Sequence, residues 1–557
     1  MSAKLKTLTL ALSLTLPLAS IALERTDLLP AEAQSYIRVS NTTNFWSKLK
    51  QSSIGKLWID SQFQDFLGNP DAETWQEFFF ESESDAEDKV FMEQLKMLTG
   101  EVVLAFDMER KDPYIIATMS KTDFLRSLEM DLQLQNLTEE PFEIIRDAFQ
   151  DVEIIQHIED GGTPDEESSW QACLNNTFIL GYTREWIEKS IIQLKKEPLE
   201  EPDGTPELNI NIPLSKLIMT VAKEEDEGLA DHPEETSTEL LFDALGLLGI
   251  KNFSADITLQ ENEMVIDNNL MVEDLTKGLF TLLDLRPSEL PSVGFIPENM
   301  TSLEVGRFNL LRFWQEIPTV LATAMPAVKP QFDMITMMIQ QQSSINLEQD
   351  LLANIGNKYI SYTVIETDEP ISVIAVELKD SIAFKTGLET AFAAPAIQPQ
   401  IAMALDTETF LDQTIYTVKE SEPGNIIAFS VVGDYLLYGP TKGLHQVIRS
   451  ENNDTETIGI FERSPLVKGL RQHIPSRAFG FSAIDWKKYM TVIVQEINQP
   501  DRIAMIQKKW AASGSPLPPP DFTKLPSADH MASFFNMTYQ YTEAVGKGLH
   551  QKIILKY

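Results

Sequence analysis

The chain has 557 residues, 43% hydrophobic, 9% aromatic and 23% charged, with a single cysteine, Cys173. Its formal net charge of −39 opposes phosphate backbones and anionic lipid surfaces, so nucleic acid is excluded as an expected partner and basic or cationic partners stay open. One cysteine also excludes an intramolecular disulfide framework, and the apolar content suffices for a core without it.

The chain opens with Lys4 and Lys6, an apolar stretch over residues 7–18, the small residues of Ser20-Ile21-Ala22, and then Glu24, Arg25 and Asp27. Charge, apolar core and small residues in that order predict a signal peptide over 1–22, cut near Ala22, and therefore an exported protein, periplasmic or secreted. Loss of Lys4 and Lys6 takes the charge from −39 to −41. The signal's end carries no cysteine, so no lipid anchor is expected there.

Residues 44–66 read as a helix, with Phe45, Leu49, Leu57 and Phe66 on one broad apolar side. Strands follow at Gly100-Glu101-Val102-Val103-Leu104 and after Asp112-Pro113. Cys173 sits in an apparent strand, where a small buried hydrophobe is the default reading and an activated nucleophile the alternative. A helix is predicted over 184–194, then two strand-like runs over 253–259 and 264–272. The longest apolar run after the start, residues 240–250, contains Asp243 and falls short of the roughly 20 residues a bilayer demands, so no transmembrane segment is expected after the signal.

The second half repeats this order. Leu29-Pro30-Ala31-Glu32, a strand and Phe45-Trp46 return as Ile296-Pro297-Glu298-Asn299, a strand and Phe313-Trp314. Gly100 to Leu104 returns at Gly356-Asn357-Lys358-Tyr359-Ile360, and Asp112-Pro113 at Glu369-Pro370. The strand of Asn176-Thr177-Phe178-Ile179-Leu180 returns at Asp434-Tyr435-Leu436-Leu437, before a helix over 441–448. Two strand-like runs, 534–541 and 549–555, close the chain.

An internal repeat follows from this shared order. The predicted domains are 23–287 and 288–557, punctuated by Pro287 and Pro291. Acidic stretches at 71–93, 159–167, 197–207 and 224–239 read as loops or solvated helices, and 515–520 as a stiff linker. Strands outnumber possible crossover helices. The expected class is α+β, two tandem similar domains, each a mainly antiparallel sheet with helices packed on one face.

The sequence holds no G-x-S-x-G elbow, H-E-x-x-H, P-loop or dinucleotide fingerprint. Its six histidines, His157, His232, His445, His473, His530 and His550, are never within five residues of one another. The segment 160–167 lacks the ligand spacing of a calcium-binding hand. No catalytic, cofactor-binding or metal-ligating residue is therefore expected, and no cofactor. Trp46, Trp58, Trp75 and Trp314 could line a sugar groove, but the return of Trp46 as Trp314 favours packing. Met325, Met334, Met337 and Met338 suit either an apolar ligand or, by preference, the core.

The start Leu28-Leu29-Pro30-Ala31-Glu32-Ala33-Gln34-Ser35-Tyr36-Ile37-Arg38-Val39, with Trp46 and Ser52-Ser53-Ile54-Gly55-Lys56-Leu57, resembles exported bacterial proteins that contain a domain of unknown function. That resemblance implies an envelope location and an α+β build with internal repetition, and no catalytic residues. The second half departs from it, with Ile296-Pro297-Glu298 and no Ser-Ile-Gly-Lys-Leu segment. The expected function is an exported, non-catalytic binding or scaffolding protein of the bacterial cell envelope or extracellular space, its partner an envelope or extracellular protein. The alternatives are an extracellular glycan or peptide hydrolase using unrecognised carboxylates, and a carrier of an apolar ligand.

Overall fold

The computed structural model describes residues 24–30, 33, 35–68, 93–94, 96–107, 113–135, 143–158, 168–197, 199, 206–228, 237–291, 294–366, 369–419, 427–452, 464–512 and 519–557. The expected signal, the acidic stretch 159–167 and most of 71–93 and 515–520 lie outside them. Two compact units divide the chain: Met1–Ser47 with Phe80–Ile212, and Lys48–Phe79 with Pro213–Tyr557.

The single helix read over 44–66 is three: α1 (Thr42–Gln51), α2 (Ser53–Trp58) and α3 (Ser61–Leu67). Capping chemistry makes the breaks. The Ser52 side chain accepts from the Gly55 N–H at 3.2 Å, and Asp60 accepts from the N–H groups of Gln62 and Phe63 at 3.1 and 3.0 Å. Each cap satisfies donors that a continuous helix would bond to its own carbonyls, so a new helix begins there.

The first unit holds strands β1 (Ser35–Val39), β2 (Val102–Phe106), β3 (Pro113–Thr118), β4 (Glu143–Phe149), β5 (Val152–Ile158), β6 (Ser168–Leu174), β7 (Thr177–Gly181) and β8 (Leu208–Ile212). They pair antiparallel in the order β8-β1-β2-β3-β7-β6-β5-β4. Helices α4 (Lys121–Gln135) and α5 (Arg184–Lys196) follow β3 and β7. Trp186, Ile187, Ile191 and Leu194 of α5 seal Val103, Ile116, Ile154 and Ile179. Phe124 and Leu128 of α4 seal Ala117, Ile155 and Phe178. Ile116 and Ala117 are neighbours on one strand and point to opposite faces. The two helices therefore cover both faces here, one each, where the sequence suggested one.

The second unit takes in α2 and α3 and resumes with α6 (Leu214–Gly228) and α7 (Thr238–Ala244), so part of the acidic stretch from 224 is helical. Its strands are β9 (Ile250–Leu259), β10 (Glu263–Val272), β11 (Ser302–Arg307), β12 (Ile355–Glu366), β13 (Glu369–Leu378), β14 (Leu405–Phe410), β15 (Gln413–Val418), β16 (Ala428–Val432), β17 (Tyr435–Gly439), β18 (Gly480–Asp485), β19 (Met537–Val545) and β20 (Gly548–Lys556). Their antiparallel order is β14-β15-β16-β17-β13-β12-β11-β18-β19-β20-β10-β9. Every neighbour relation of the first sheet has a counterpart here: β1 lies between β2 and β8 as β11 lies between β12 and β18, and β3 pairs β7 as β13 pairs β17.

Helices of this unit are α8 (Leu310–Ala324), α9 (Lys329–Ser343), α10 (Ser381–Ala393), α11 (Gln398–Ala404), α12 (Thr441–Asn452), α13 (Pro465–His473), α14 (Trp486–Ile497), α15 (Pro500–Ala512) and α16 (Ala528–Ala532). Leu444, Val447 and Ile448 of α12, with Leu466, Val467 and Leu470 of α13, close the core over Val305, Ile360, Val373, Ile415 and Leu437. Spacing of three and four places these residues on one stripe.

The hairpin β9–β10 joins this sheet at its end, through β10 and β20. Their register runs from Glu263↔Lys556 to Met271↔Gly548. Side chains cross the seam. The His550 ring faces Asp267 at 3.0 Å and Glu543 at 3.1 Å, Lys552 pairs with Asp267 at 3.2 Å, and Asn268 donates to Gln551 at 3.0 Å.

A candidate docking surface on a methionine-rich helix

Cys173 lies on β6, half-buried, with its thiol donating to the Met119 carbonyl at 3.6 Å. Burial pushes the thiol up to about 11, with Lys121 pulling weakly the other way. A thiol so placed stays protonated and unreactive near neutrality. His157 sits 3.9 Å from Asp131 beneath α4, and Gln94 donates to the same carboxylate. Burial lowers the affinity of His157 for a proton and raises that of Asp131, so both are driven towards their neutral forms. Among the described residues, no group of three His, Cys, Asp or Glu side chains is arranged to hold a metal ion.

Two buried ionic clamps hold the starts of equivalent strands. Glu101, just before β2, takes Arg38 at 2.5 Å and also Arg25, whose guanidinium donates to the Thr118 hydroxyl at 2.8 Å. Asn357, its counterpart in β12, donates at 3.0 Å to Asp284, which also receives Arg286 and Arg307. Burial alone would raise the Asp284 carboxyl, but the bonds from Arg286 and Asn357 and the charge of Arg307 hold it far below the usual range. Apart from Arg25 Nε, which is buried without a hydrogen-bond partner, these groups are spent on their neighbours, which suits structure.

The methionines behave differently. Asn309 caps α8, accepting from the Arg312 N–H at 3.1 Å, and α8 carries Pro318 in its interior. A turn with Val328 N–H donating to Met325 O at 2.9 Å leads into α9, where Pro330 stands at the first turn, a position at which its missing donor costs nothing. The contact between the two helices includes Phe332 against Trp314, with ring centroids 5.6 Å apart. Ser344, in the left-handed region at φ 60, ends α9, and Ile345 is buried beyond it.

Beyond Phe332, the large apolar side chains of α9 face outward. Met334 is 57% exposed, Ile335 47%, Met337 55%, Met338 44% and Ile339 37%. At about 100° per residue these five span an arc of roughly 200° around the helix. Only Ser343 of α9 is buried. The preference for core filling is therefore corrected: Met334, Met337 and Met338 lie on the surface. Trp314 is also only half-buried and works in the contact between the helices. Next to α9 packs α10, and α11 packs next to α10. They expose Ile382 at 80% and Met403 at 70%.

The charge on α9 is one ion pair, Lys329 with Asp333. The rest of its surface is methionine, isoleucine, threonine and glutamine, with Pro330 at its start and part of Phe332. Isolated exposed apolar residues are ordinary, whereas five within a helical turn and a half make α9 a candidate interaction surface. Thioethers on unbranched, rotatable chains adapt to partners of different shapes. The arrangement offers an adaptable apolar surface, and its methionine and isoleucine side chains carry no group for acid–base or nucleophilic work.

No family model matches the chain, and neither does any curated protein. Among solved structures it is similar to "Structure of crystal form IV of TP0453" (TM-score 0.23, 9% identity, 45% of this chain and 82% of that one). A second, "Structure of crystal form I of TP0453", gives a TM-score of 0.22 at 10% identity over 46% of this chain and 81% of that one. No helix among the described residues is long and apolar enough to cross a membrane.

Proposed function

We propose that this chain is an exported, non-catalytic binding protein of the bacterial cell envelope or extracellular space, which takes an apolar partner on the exposed face of α9. The observation that carries the reading is the exposure of Met334, Ile335, Met337, Met338 and Ile339 on one helix. Export rests on the charge pattern of residues 1–22, and a binding role without catalysis on groups that are engaged with one another. The recurrence of the β1–β8 pairings in β11–β18 supports an ancestral duplication, whose products we take to be 23–287 and 288–557, with the hairpin β9–β10 of the first half paired onto β20 of the second.

A photo-cross-linking amino acid at position 338 tests the reading in intact cells, with the same substitution at Val545, an exposed hairpin residue, as control. The expected result is a discrete adduct from 338 and none from 545, in the envelope or secreted fraction. An adduct-free chain, a cytosolic one, or cleavage of a glycan or peptide panel by the pure protein would overturn it.

A further inference from the structure

We infer that the partner seated on α9 is a cationic amphipathic helix of another protein. This rests on the docking role just proposed and deepens it by naming the occupant. The argument is charge complementarity around an apolar centre. Besides Asp333 of α9, the elements packed about it present Glu316 on α8, Glu389 on α10, and Glu348 and Asp350 on the short turn Leu347–Leu351 that packs on α10. Gln315 ties that turn to α8 by donating to Glu348. Cations there are Arg312, Lys329 and Lys385, and Lys329 is already paired with Asp333. On α9 and these neighbouring elements five carboxylates stand against three cations, or four against two once the Lys329–Asp333 pair is set aside, within a chain of net charge −39.

Such a surround selects among occupants. A second copy of this chain would bring another −39, and an anionic lipid surface would be repelled likewise. An uncharged apolar surface would gain the burial and nothing from the rim. A helix with one apolar face and basic flanks gains both, laying its apolar residues on the methionines and its lysines or arginines against Glu316, Asp333, Glu348 and Glu389. Helix α9 has 15 residues and so offers a track about 22 Å long, enough for some four turns of partner helix.

The test is fluorescence anisotropy of the purified full chain with three labelled 18-residue amphipathic peptides sharing one leucine face, the polar face being lysine, glutamine or glutamate. Vesicles of phosphatidylcholine form a fourth arm. The lysine peptide is expected to bind roughly tenfold or more tighter than the glutamine peptide at low salt, with the advantage shrinking as ionic strength rises. The double variant Met337→Gln/Met338→Gln should weaken it about tenfold while thermal unfolding is unchanged. Equal binding of the lysine and glutamine peptides would overturn the cationic partner and leave the docking role standing. Binding to vesicles but to no peptide would overturn it in favour of a lipid surface. Lysine-peptide binding indifferent to the double variant would place the contact off α9, and no binding in any arm would remove inference and docking role together.

Discussion

Helices α9 and α12 belong to the same unit and are both rich in large apolar residues, yet one is bare and the other sealed. On α12, Leu444, Val447 and Ile448 form a narrow stripe that fits the sheet, and all three are buried. On α9, Met334, Ile335, Met337, Met338 and Ile339 wrap more than half of the helix and lie open. Burial follows from the shape of the apolar pattern and from what stands opposite it. Apolar content alone does not decide it.

The sharpest way to break that comparison is to truncate one residue from each helix. Leu444→Ala should cost about 2–5 kcal/mol in urea unfolding, since it leaves a cavity in a packed core. Met338→Ala should stay within about 0.5 kcal/mol. Similar costs for both would mean that α9 is packed in solution. Next in size is Gly469→Ala on α13, where an added Cβ would run into the Tyr539 ring that stacks on His473. Overpacking of this kind costs about 1–3 kcal/mol. An unchanged melting temperature would show that α13 stands further from β19.

A smaller effect concerns pH. The folded pKa of Asp284 lies below the unfolded carboxylate value of about 3.9. Its contribution to stability is therefore complete above that value and is lost as the pH falls below it. Asp284→Asn should flatten the acid limb of the unfolding curve below about pH 4 and leave the slope near neutrality alone. Parallel acid limbs in the two proteins would count against the clamp.

Much of the architecture is legible in the residues. Val373 to Val376 lies in β13, the run from Leu549 in β20 and the helix from Arg184 in α5, because β-branched alternation and helical spacing are local signals. Turns are less even. Asn175 and Asn176 both adopt positive φ between β6 and β7, as asparagine readily does. Leu411 and Asp412 do the same between β14 and β15, though leucine gives no sign of it. The split of 44–66 was readable in Ser52 and Asp60, and a run of helix formers hid it.

The candidate surface was half legible. The methionines stand out in the sequence, but a methionine pattern describes a core and a docking face equally well, since both demand adaptable apolar side chains. What separates them is the partner across the helix, which is a tertiary fact. Nothing local marks the ionic clamps at Glu101 and Asp284, because partners such as Arg25 and Glu101 stand 76 residues apart in sequence.

The most direct measurement is methionine oxidation read by mass spectrometry, on the purified chain and in intact cells. The account predicts that Met334, Met337 and Met338 oxidise quickly when pure, while the buried Met300 and Met490 stay protected, and that the same three are shielded in the cell by their partner. Slow oxidation of the three in the pure protein would contradict the open face. Equal rates in both settings would contradict its occupation.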